Sequence, residues 1–163
     1  MPARSACARL SGVATFGDKP ALQAAVDLWC SDEATALATY GHISEWDVSA
    51  VTDMSKLFCS LAQAAPVACP SPADKDTCNP DISGWDVSAV TDMGWMFLGA
   101  HAFSQDIGAW NVSAVTNMEN LFWDARAFNS DIGAWEMSAV TSTWGMFMSA
   151  FAFDQDISAW NVS

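Results

Sequence analysis

Apolar and polar positions along this chain follow a pattern that repeats every 25 residues. The copy that begins at Asp106 reads D-I-G-A-W-N-V-S-A-V-T-N-M-E-N-L-F-W-D-A-R-A-F. Similar copies begin at Asp81, Asp131 and Asp156, and an earlier one begins at His42. A strict interval in this range is typical of stacked repeats, in which no unit can bury its apolar face alone. A residue that recurs once per unit is therefore explained more simply by packing between units than by a functional site.

Each 25-residue unit predicts one short strand followed by one short helix. Trp110 and Val112 have the period-2 spacing of a strand, with Ile107 on the turn before them. Thr116 and Glu119 then match a helix capping box. The apolar residues that follow have the spacing of one helical face, and they are Met118, Leu121, Phe122 and Ala125. We therefore predict an α/β solenoid of right-handed, leucine-rich-repeat-like coils of 25 residues, each with a short parallel strand and a short helix.

Aromatic residues recur at fixed positions of the unit, so we expect them to form ladders through the core. The tryptophan column consists of Trp46, Trp85, Trp110, Trp135 and Trp160. The two phenylalanine columns consist of Phe58, Phe97, Phe122 and Phe147, and of Phe103, Phe128 and Phe153. Each buried aromatic side chain removes on the order of 150–250 Å² from water. That burial provides the stacking force that one small unit lacks.

Residues 18–41 predict a helical cap on the N-terminal side of the repeats, which occupy residues 42–163. Asp18 can cap the first turn of a helix, and Pro20 lies where a missing N–H costs nothing. A second short helix is expected over residues 32–40 and ends at Gly41. A stack of repeats needs such a cap, because its first unit would otherwise expose its core.

The first unit contains an insertion that carries most of the cysteines. The interval from His42 to Asp81 is 39 residues, which is 14 more than the period. The extra residues lie within 59–78, are rich in proline and alanine, and predict a surface loop. Cys59, Cys69 and Cys78 cluster there and indicate disulfide bonds and an oxidising compartment. Two pairings remain open, Cys59–Cys78 and Cys69–Cys78, and Cys78 takes the position of a core phenylalanine in later units.

Composition narrows the classes of partner. The 163 residues are 52% hydrophobic and carry a net charge of −13, with 6 Lys and Arg against 19 Asp and Glu. Nucleic acid and anionic membrane surfaces are disfavoured, because both require cationic side chains. No apolar run reaches the roughly 18–20 residues that span a bilayer, so the chain is not expected to cross a membrane itself. Residues 1–17 are predicted to be a flexible terminus or the remnant of a targeting sequence, because Arg4 and Arg9 precede the first acid, Asp18.

The repeated phrase, D-I-S-x-W-D-V-S-x-V-T-D-M-x-x-M-F-x-x-A-x-x-F, closely resembles the BspA-like surface repeat, a leucine-rich-repeat-related family. The N-terminal A-L-Q-A-A-V-D-L-W is similar to the segment that often precedes such repeats. The resemblance covers roughly residues 16–163 and is weakest at Thr143, where the usual methionine is missing, and across the insertion. It implies a non-enzymatic surface, adhesion or interaction module, and it brings no catalytic residues.

Two acidic columns are the first candidate sites. One consists of Asp81, Asp106, Asp131 and Asp156. These carboxylates are predicted to cap turns, because a calcium site needs about six to eight oxygens and one per unit is few. The second column is interpreted as an exposed strand position where a partner could bind, and it consists of Asp47, Asp86, Asn111, Glu136 and Asn161. Cation binding by the first column remains an alternative, as does ice binding by the threonine column, for which helix capping is the simpler explanation.

Tryptophans outside the regular column are the other candidates. Trp95 and Trp144 precede a phenylalanine of the unit, whereas Trp123 follows one. Exposed aromatic side chains mark interaction surfaces, although packing between units explains them equally well. Trp160 is a further candidate because few residues follow it to cover the last copy.

These patterns predict a repeat scaffold that binds other proteins and is not an enzyme. No Cys-x-x-Cys motif, Gly-rich phosphate loop or Ser-His-Asp arrangement is present, so no catalytic, cofactor-binding or metal-binding residue is predicted. Only the insertion loop could form an enzymatic pocket. Two settings remain open: a secreted or cell-surface adhesin that binds host or matrix ligands, and a structural or linker subunit of a larger membrane-associated complex, for example in the plastid lumen.

Overall fold

The computed structural model describes residues 12–60, 69–70 and 75–161. Within these residues it contains two α-helices, α1 (Lys19–Ser31) and α2 (Glu33–Tyr40), and one 3-10 turn, Ile43–Glu45. The described part of the repeats contains no α-helix and no strand, and neighbouring units pair only through isolated parallel bridges. The predicted α/β solenoid, with a strand and a helix in every coil, is therefore wrong.

The two helices are delimited by their capping residues. The carboxylate of Asp18 accepts a hydrogen bond from the amide three residues on (3.0 Å), and Pro20 occupies the first turn of α1. Asp32 ends α1 and caps α2 in the same way (3.1 Å). Gly41 ends α2 with a φ of 76°, in the left-handed region that favours glycine. Both helices lie within residues 18–41, where the sequence predicts them.

Helix α1 lays its apolar face over the first unit. Trp29 on this face lies edge-on to Trp46, with ring centroids 5.9 Å apart. Phe16 also packs on Trp46, at 5.1 Å, and its amide donates to the carbonyl of Asp47 (2.9 Å). Phe16 belongs to the segment predicted as a flexible terminus or targeting remnant. Residues 12–17 of that segment are thus attached to the first unit, and residues 1–11 lie outside the described part.

The second half of each unit is a chain of tight turns. In the unit that begins at Asp106, every second amide binds the carbonyl three residues back, at 3.0–3.3 Å, and these amides belong to Leu121, Trp123 and Ala125. The amides between them donate to carbonyls of the next unit at 2.7–2.9 Å, and they belong to Met118, Asn120, Phe122 and Asp124. We call these four amides the donor row of their unit. The four carbonyls of the next unit that accept these hydrogen bonds are called the acceptor row.

This division of the amides explains why the predicted helix does not form. An α-helix uses every interior amide for a carbonyl of its own chain four residues back. Here half of the amides are bound to a neighbouring unit, which sequence spacing does not reveal. The apolar residues still face inward together, because a chain of turns and a helix can place the same side chains on one side.

Left-handed residues recur at two positions of the unit. The first position is held by Lys56, Trp95, Asn120 and Gly145, and the second by Gly99, Asp124 and Ser149, with φ from 53° to 69°. A left-handed residue cannot continue a right-handed helix. Most of these positions are not glycine, so the contacts between units must compensate for their backbone strain.

The predicted strand is absent as well. Each threonine amide donates to the threonine carbonyl of the preceding unit at 2.8 Å, and each hydroxyl does so at 3.0–3.3 Å; the donors are Thr91, Thr116 and Thr141. Bridges such as Asn117↔Ser142 involve a single residue pair and do not extend into strands. The threonines therefore join units and do not cap helices. The predicted capping box is also wrong, because the amide of Glu119 binds Asn117 (3.0 Å).

The phenylalanine ladders are confirmed. Ring centroids are 5.4–5.8 Å apart along the column Phe58, Phe97, Phe122 and Phe147. They are 5.9–6.2 Å apart along the column Phe103, Phe128 and Phe153. Both columns lie in one continuous core that runs through all units.

The tryptophan ladder is correct only for its first step. Trp46 and Trp85 stack at 6.4 Å, whereas Trp110 stacks on Phe97 of the preceding unit, also at 6.4 Å. The indole N–H of Trp110 donates to the carbonyl of Ile82 (3.2 Å), and the other tryptophans of later units repeat this contact. From Trp85 onward, each tryptophan of the column therefore joins two units by a ring contact and by a hydrogen bond.

Replacing Phe122 by alanine should lower the free energy of unfolding by about 3–5 kcal/mol, because the ring is fully buried between two neighbouring units. Phe151→Ala is the matched control, because Phe151 is 79% exposed. It should change the free energy by no more than about 0.5 kcal/mol. Urea denaturation followed by tryptophan fluorescence measures both, and equal effects would contradict the ladder as the main source of stability.

Candidate interaction surface

The four aspartates that open the units cap turns. Asp106 accepts a hydrogen bond from the amide two residues on (3.0 Å), and Asp131 does the same (3.1 Å). Asp81 and Asp156 repeat the contact at 3.1 and 2.9 Å. Hydrogen bonds from the hydroxyl and amide of Ser83 hold the pKa of Asp81 below its ordinary value. Within the described residues, no three His, Cys, Asp or Glu side chains converge on a common point that could hold a metal ion.

The second acidic column also caps turns. Its oxygens accept from the serine amide two residues on at 3.0–3.2 Å, and the acceptors are Asp47, Asp86, Asn111 and Glu136. The interpretation of this column as a strand position is wrong, because no strand is present there. Asp47 is half-buried, and the other side chains of the column are exposed, namely those of Asp86, Asn111, Glu136 and Asn161. Their role in binding a partner remains a prediction.

Trp95, Trp123 and Trp144 occupy three different positions of the unit. Trp95 is half-buried and left-handed (φ 57°), and the ammonium of Lys56 lies 5.6 Å from its ring centroid. Trp123 is half-buried, whereas Trp144 is 63% exposed. Only Trp144 therefore presents most of its ring to solvent.

Exposed apolar side chains concentrate in the unit that begins at Asp131. Met148 and Phe151 are 43% and 79% exposed, close in sequence to Trp144. Met148 also lines a groove whose other apolar residues are Met146, Phe147, Ile157 and Trp160. We call these five residues, together with Trp144 and Phe151, the apolar end patch. Elsewhere in the described part of the chain, the large hydrophobic side chains that are exposed are Val13 and Leu37.

The described end of the insertion is fixed to α1. Cys78 forms a disulfide with Cys30, near the end of the helix. Lys75 is fully buried, and its ammonium lies 2.5 Å from the carboxylate of Asp27 and 3.1 Å from the carbonyl of Leu57. Burial lowers the pKa of Lys75, and the contact with Asp27 opposes that shift. These contacts close the side of the first unit that faces α1.

The disulfide pairing differs from both sequence alternatives. The second bond joins Cys59 to Cys69, so neither Cys59–Cys78 nor Cys69–Cys78 exists. Cys78 does replace a core phenylalanine by a covalent anchor, but the anchor is Cys30. Sequence reasoning missed Cys30 because its helical spacing made it look like one more apolar core residue. Cys7 lies outside the described residues.

A charged cluster links the insertion to two units. His101 Nε2 lies 2.9 Å from Asp124, and its Nδ1 lies 3.7 Å from Asp76. Arg126 Nε lies 2.8 Å from Asp124. Burial alone would raise the pKa of Asp124, but hydrogen bonds from Arg126 and His101 outweigh it and hold that pKa below its ordinary value. Phe151 occupies, in the next unit, the position that Arg126 holds in its own unit. The change from a charged to an apolar residue at this position was a signal in the sequence for the apolar end patch.

The fold and the surface together define a disulfide-bonded protein of stacked repeats whose exposed apolar side chains concentrate in the unit that begins at Asp131. A family model described as "Mycoplasma protein of unknown function, DUF285" matches residues 30–65 and 71–163. The chain belongs to this family, which is related to surface repeats and has no established function. No curated protein and no solved structure matches the chain. Neither helix in the described residues is long and apolar enough to cross a membrane.

Removal of the Cys30–Cys78 bond by a double Cys→Ser substitution should cost more stability than removal of Cys59–Cys69. The first bond closes 48 residues and the second closes 10. The chain-entropy model of loop closure then predicts that the free energy of unfolding falls by about 4 kcal/mol without the first bond and by about 3 kcal/mol without the second. Denaturation of the two double variants measures the difference, and a larger loss for Cys59–Cys69 would show that local contacts dominate over loop closure.

Asp124→Asn should lower the free energy of unfolding by about 1–2 kcal/mol near neutral pH. A carboxyl whose pKa is lowered in the folded state stabilises that state above its ordinary pKa of 3.8, and this contribution fades as pH falls through the lower folded value. The difference between wild type and variant should therefore shrink below about pH 4. Asp154→Asn, at an exposed carboxylate, is the control. A difference for Asp124→Asn that stays constant from pH 7 to pH 2 would rule out the ionic contribution.

Proposed function

We propose that this protein is a non-catalytic repeat scaffold that binds another protein through the apolar end patch. The observation that carries the proposal is the concentration of exposed Trp144, Met148 and Phe151 in one unit of an otherwise acidic chain. Large exposed apolar patches are uncommon on monomeric proteins and mark sites of association. Aromatic residues and methionine are also enriched in protein interfaces.

The polar surface supports a role in binding over a role in catalysis. The oxygens of the two acidic columns are hydrogen-bonded to amides of their own turns, which accounts for their recurrence without a reaction. A site built on the end patch would recognise its partner by apolar packing. The net charge of −13 would repel acidic proteins and favour a neutral or basic partner.

We place this function at the cell surface or outside the cell. Two disulfide bonds fit an oxidising compartment, and family membership fits a surface protein. Adhesion to a host or matrix ligand is one form that the proposed function takes. The other is a structural or linker subunit in an organelle lumen, for example that of a plastid, where the same patch would dock on a larger assembly.

Crosslinking of a tagged full-length chain in its native cells tests the proposal. The double variant Trp144→Ser and Phe151→Ser should reduce crosslinks to partner proteins at least tenfold, because burial of each ring contributes about 1.5–3 kcal/mol. Leu37→Ser is the matched control, since Leu37 is an exposed apolar residue on α2. It should leave the crosslinks unchanged.

Two measurements make the result decisive. Thermal unfolding should show that both variants melt within a few degrees of the wild type, because the replaced side chains are exposed. Recovery of the wild-type chain solely as a free monomer in every compartment would defeat the proposal. Localisation of the tagged chain, in the same cells, separates the surface setting from the organelle setting.

A further inference from the structure

An asparagine in the second acidic column lies in a sequence that can accept a glycan. Asp86 and its equivalents in two other units are carboxylates, whereas Asn111 is an amide. With the serine two residues on, this change creates the triplet Asn111-Val112-Ser113, which has the Asn-x-Ser pattern of N-linked glycosylation. Turn capping does not select the amide, because Asp86 and Asn111 accept from a serine amide alike, at 3.0 and 3.2 Å.

The local turn leaves the nitrogen of the Asn111 side chain without a role in the fold. The amide and the hydroxyl of Ser113 both donate to Oδ1 of Asn111, at 3.2 and 2.7 Å. A backbone N–H can only donate, so the side-chain atom beside it is the oxygen. Nδ2, the atom to which a glycan is attached, donates no hydrogen bond to any residue in the described part of the chain. Attachment at this nitrogen therefore breaks no contact between described residues.

The position also has room for a bulky group. Val112 is buried, with 1% of its surface exposed, whereas Asn111 and Ser113 on either side of it are exposed. The anchoring of Val112 in the core thus holds both neighbours at the surface. At the same position of the two adjacent units, Asp86 and Glu136 are exposed as well. A glycan on Asn111 would therefore extend into solvent from an exposed strip of the surface.

The asparagines outside this column each lack one of these features. Asn120 is buried (2% exposed), and Nδ2 of Asn117 donates to a neighbouring carboxylate at 3.0 Å. Asn129 is exposed and accepts from a backbone amide at 2.9 Å, but Asp131 stands where a glycosylation triplet needs Ser or Thr. Asn129 is therefore a matched control. A second Asn-x-Ser triplet, residues 161–163, extends outside the described residues, so its geometry is left aside.

The disulfide bonds fit a compartment in which such glycans are added. Cys30–Cys78 and Cys59–Cys69 favour an oxidising environment, and the secretory route supplies both disulfide formation and N-linked glycosylation. The inference goes beyond the proposed binding function. It rests on the cell-surface setting of that proposal and is independent of the apolar end patch.

We propose that Asn111 carries an N-linked glycan, which is added on the secretory route. Nδ2 of Asn111 attacks the anomeric carbon of an oligosaccharide that a membrane-bound transferase holds on a lipid pyrophosphate. A C–N bond forms, and the bond from that carbon to the pyrophosphate oxygen breaks with its electron pair. The amide nitrogen releases one proton, and the lipid pyrophosphate leaves. Both hydrogen bonds of the turn join residues two apart, so the turn can form before the units stack.

Mass spectrometry of the tagged full-length chain from its native cells tests the proposal. Treatment with a peptide N-glycosidase in heavy-oxygen water converts each glycosylated asparagine to an aspartate that carries one heavy oxygen, and peptide sequencing locates this label. We expect the label at Asn111 and none at Asn129. A sample kept in the same water without the enzyme controls for spontaneous deamidation.

Two substitutions within the column exchange the residue types. Asn111→Asp introduces the carboxylate that other units already carry, so the fold should be retained and the glycan lost. Asp86→Asn creates the glycosylation triplet at a turn of the same geometry, where Ser88 donates at 3.0 and 2.6 Å, and residue 86 should gain the label. Ser113→Ala keeps Asn111 but removes the hydroxyl, and it should reduce the label at least about tenfold. All three variants should melt within a few degrees of the wild type, because the replaced side chains are exposed.

The outcomes separate this inference from the proposed function. Absence of the label at Asn111 in the wild-type chain overturns the inference, as does a label that persists in Ser113→Ala. A label at Asn161 alone, or Asp86→Asn without a label at residue 86, overturns it too, because the exposed turn would then not be what the transferase accepts. Crosslinks that require Trp144 and Phe151, on a chain without the glycan, would retain the proposed function and remove this inference. A glycosylated chain without such crosslinks would do the reverse.

Discussion

The structure depends on how backbone amides are shared between neighbouring units. Half of the amides in the turn chain bind within their own unit, and the other half bind carbonyls of the next. No unit can satisfy its own backbone, and an unpaired buried amide costs free energy comparable to a lost hydrogen bond. Every unit therefore needs a neighbour in register. The phenylalanine ladders then bury the apolar surface that the same register brings together.

The N-terminal segment covers one side of the first unit. Helix α1 packs on that unit, and the carbonyl of Leu57 accepts hydrogen bonds from Gln23 Nε2 and from Lys75 Nζ. The Cys30–Cys78 bond joins the helix covalently to the described end of the insertion. The insertion therefore belongs to this N-terminal side, because its described residues fasten α1 to the core. The exposed side chains of Trp144, Met148 and Phe151 lie in the unit that begins at Asp131.

The polar columns have a different role. Aspartate and asparagine side chains along the units accept hydrogen bonds from amides two residues on, and these contacts hold the turns between the apolar positions. Their recurrence follows from local backbone chemistry, since short polar side chains stabilise such turns. The surface feature that local chemistry leaves unexplained is the apolar end patch. The proposed binding function therefore rests on this patch.

The sequence alone determined the 25-residue register, the phenylalanine columns, the two N-terminal helices and the turn-capping role of Asp81 and its equivalents. Each of these depends on spacing or on contacts between residues close in the chain. The conformation of the repeats was decided by tertiary structure, because Met118 and Phe122 have the spacing of a helix but their amides bind the next unit. The pairing of Cys78 with Cys30 likewise depends on where α1 lies. Only the stacked structure shows which amides pair between units, since spacing cannot tell whether an amide finds its partner in its own unit or in another.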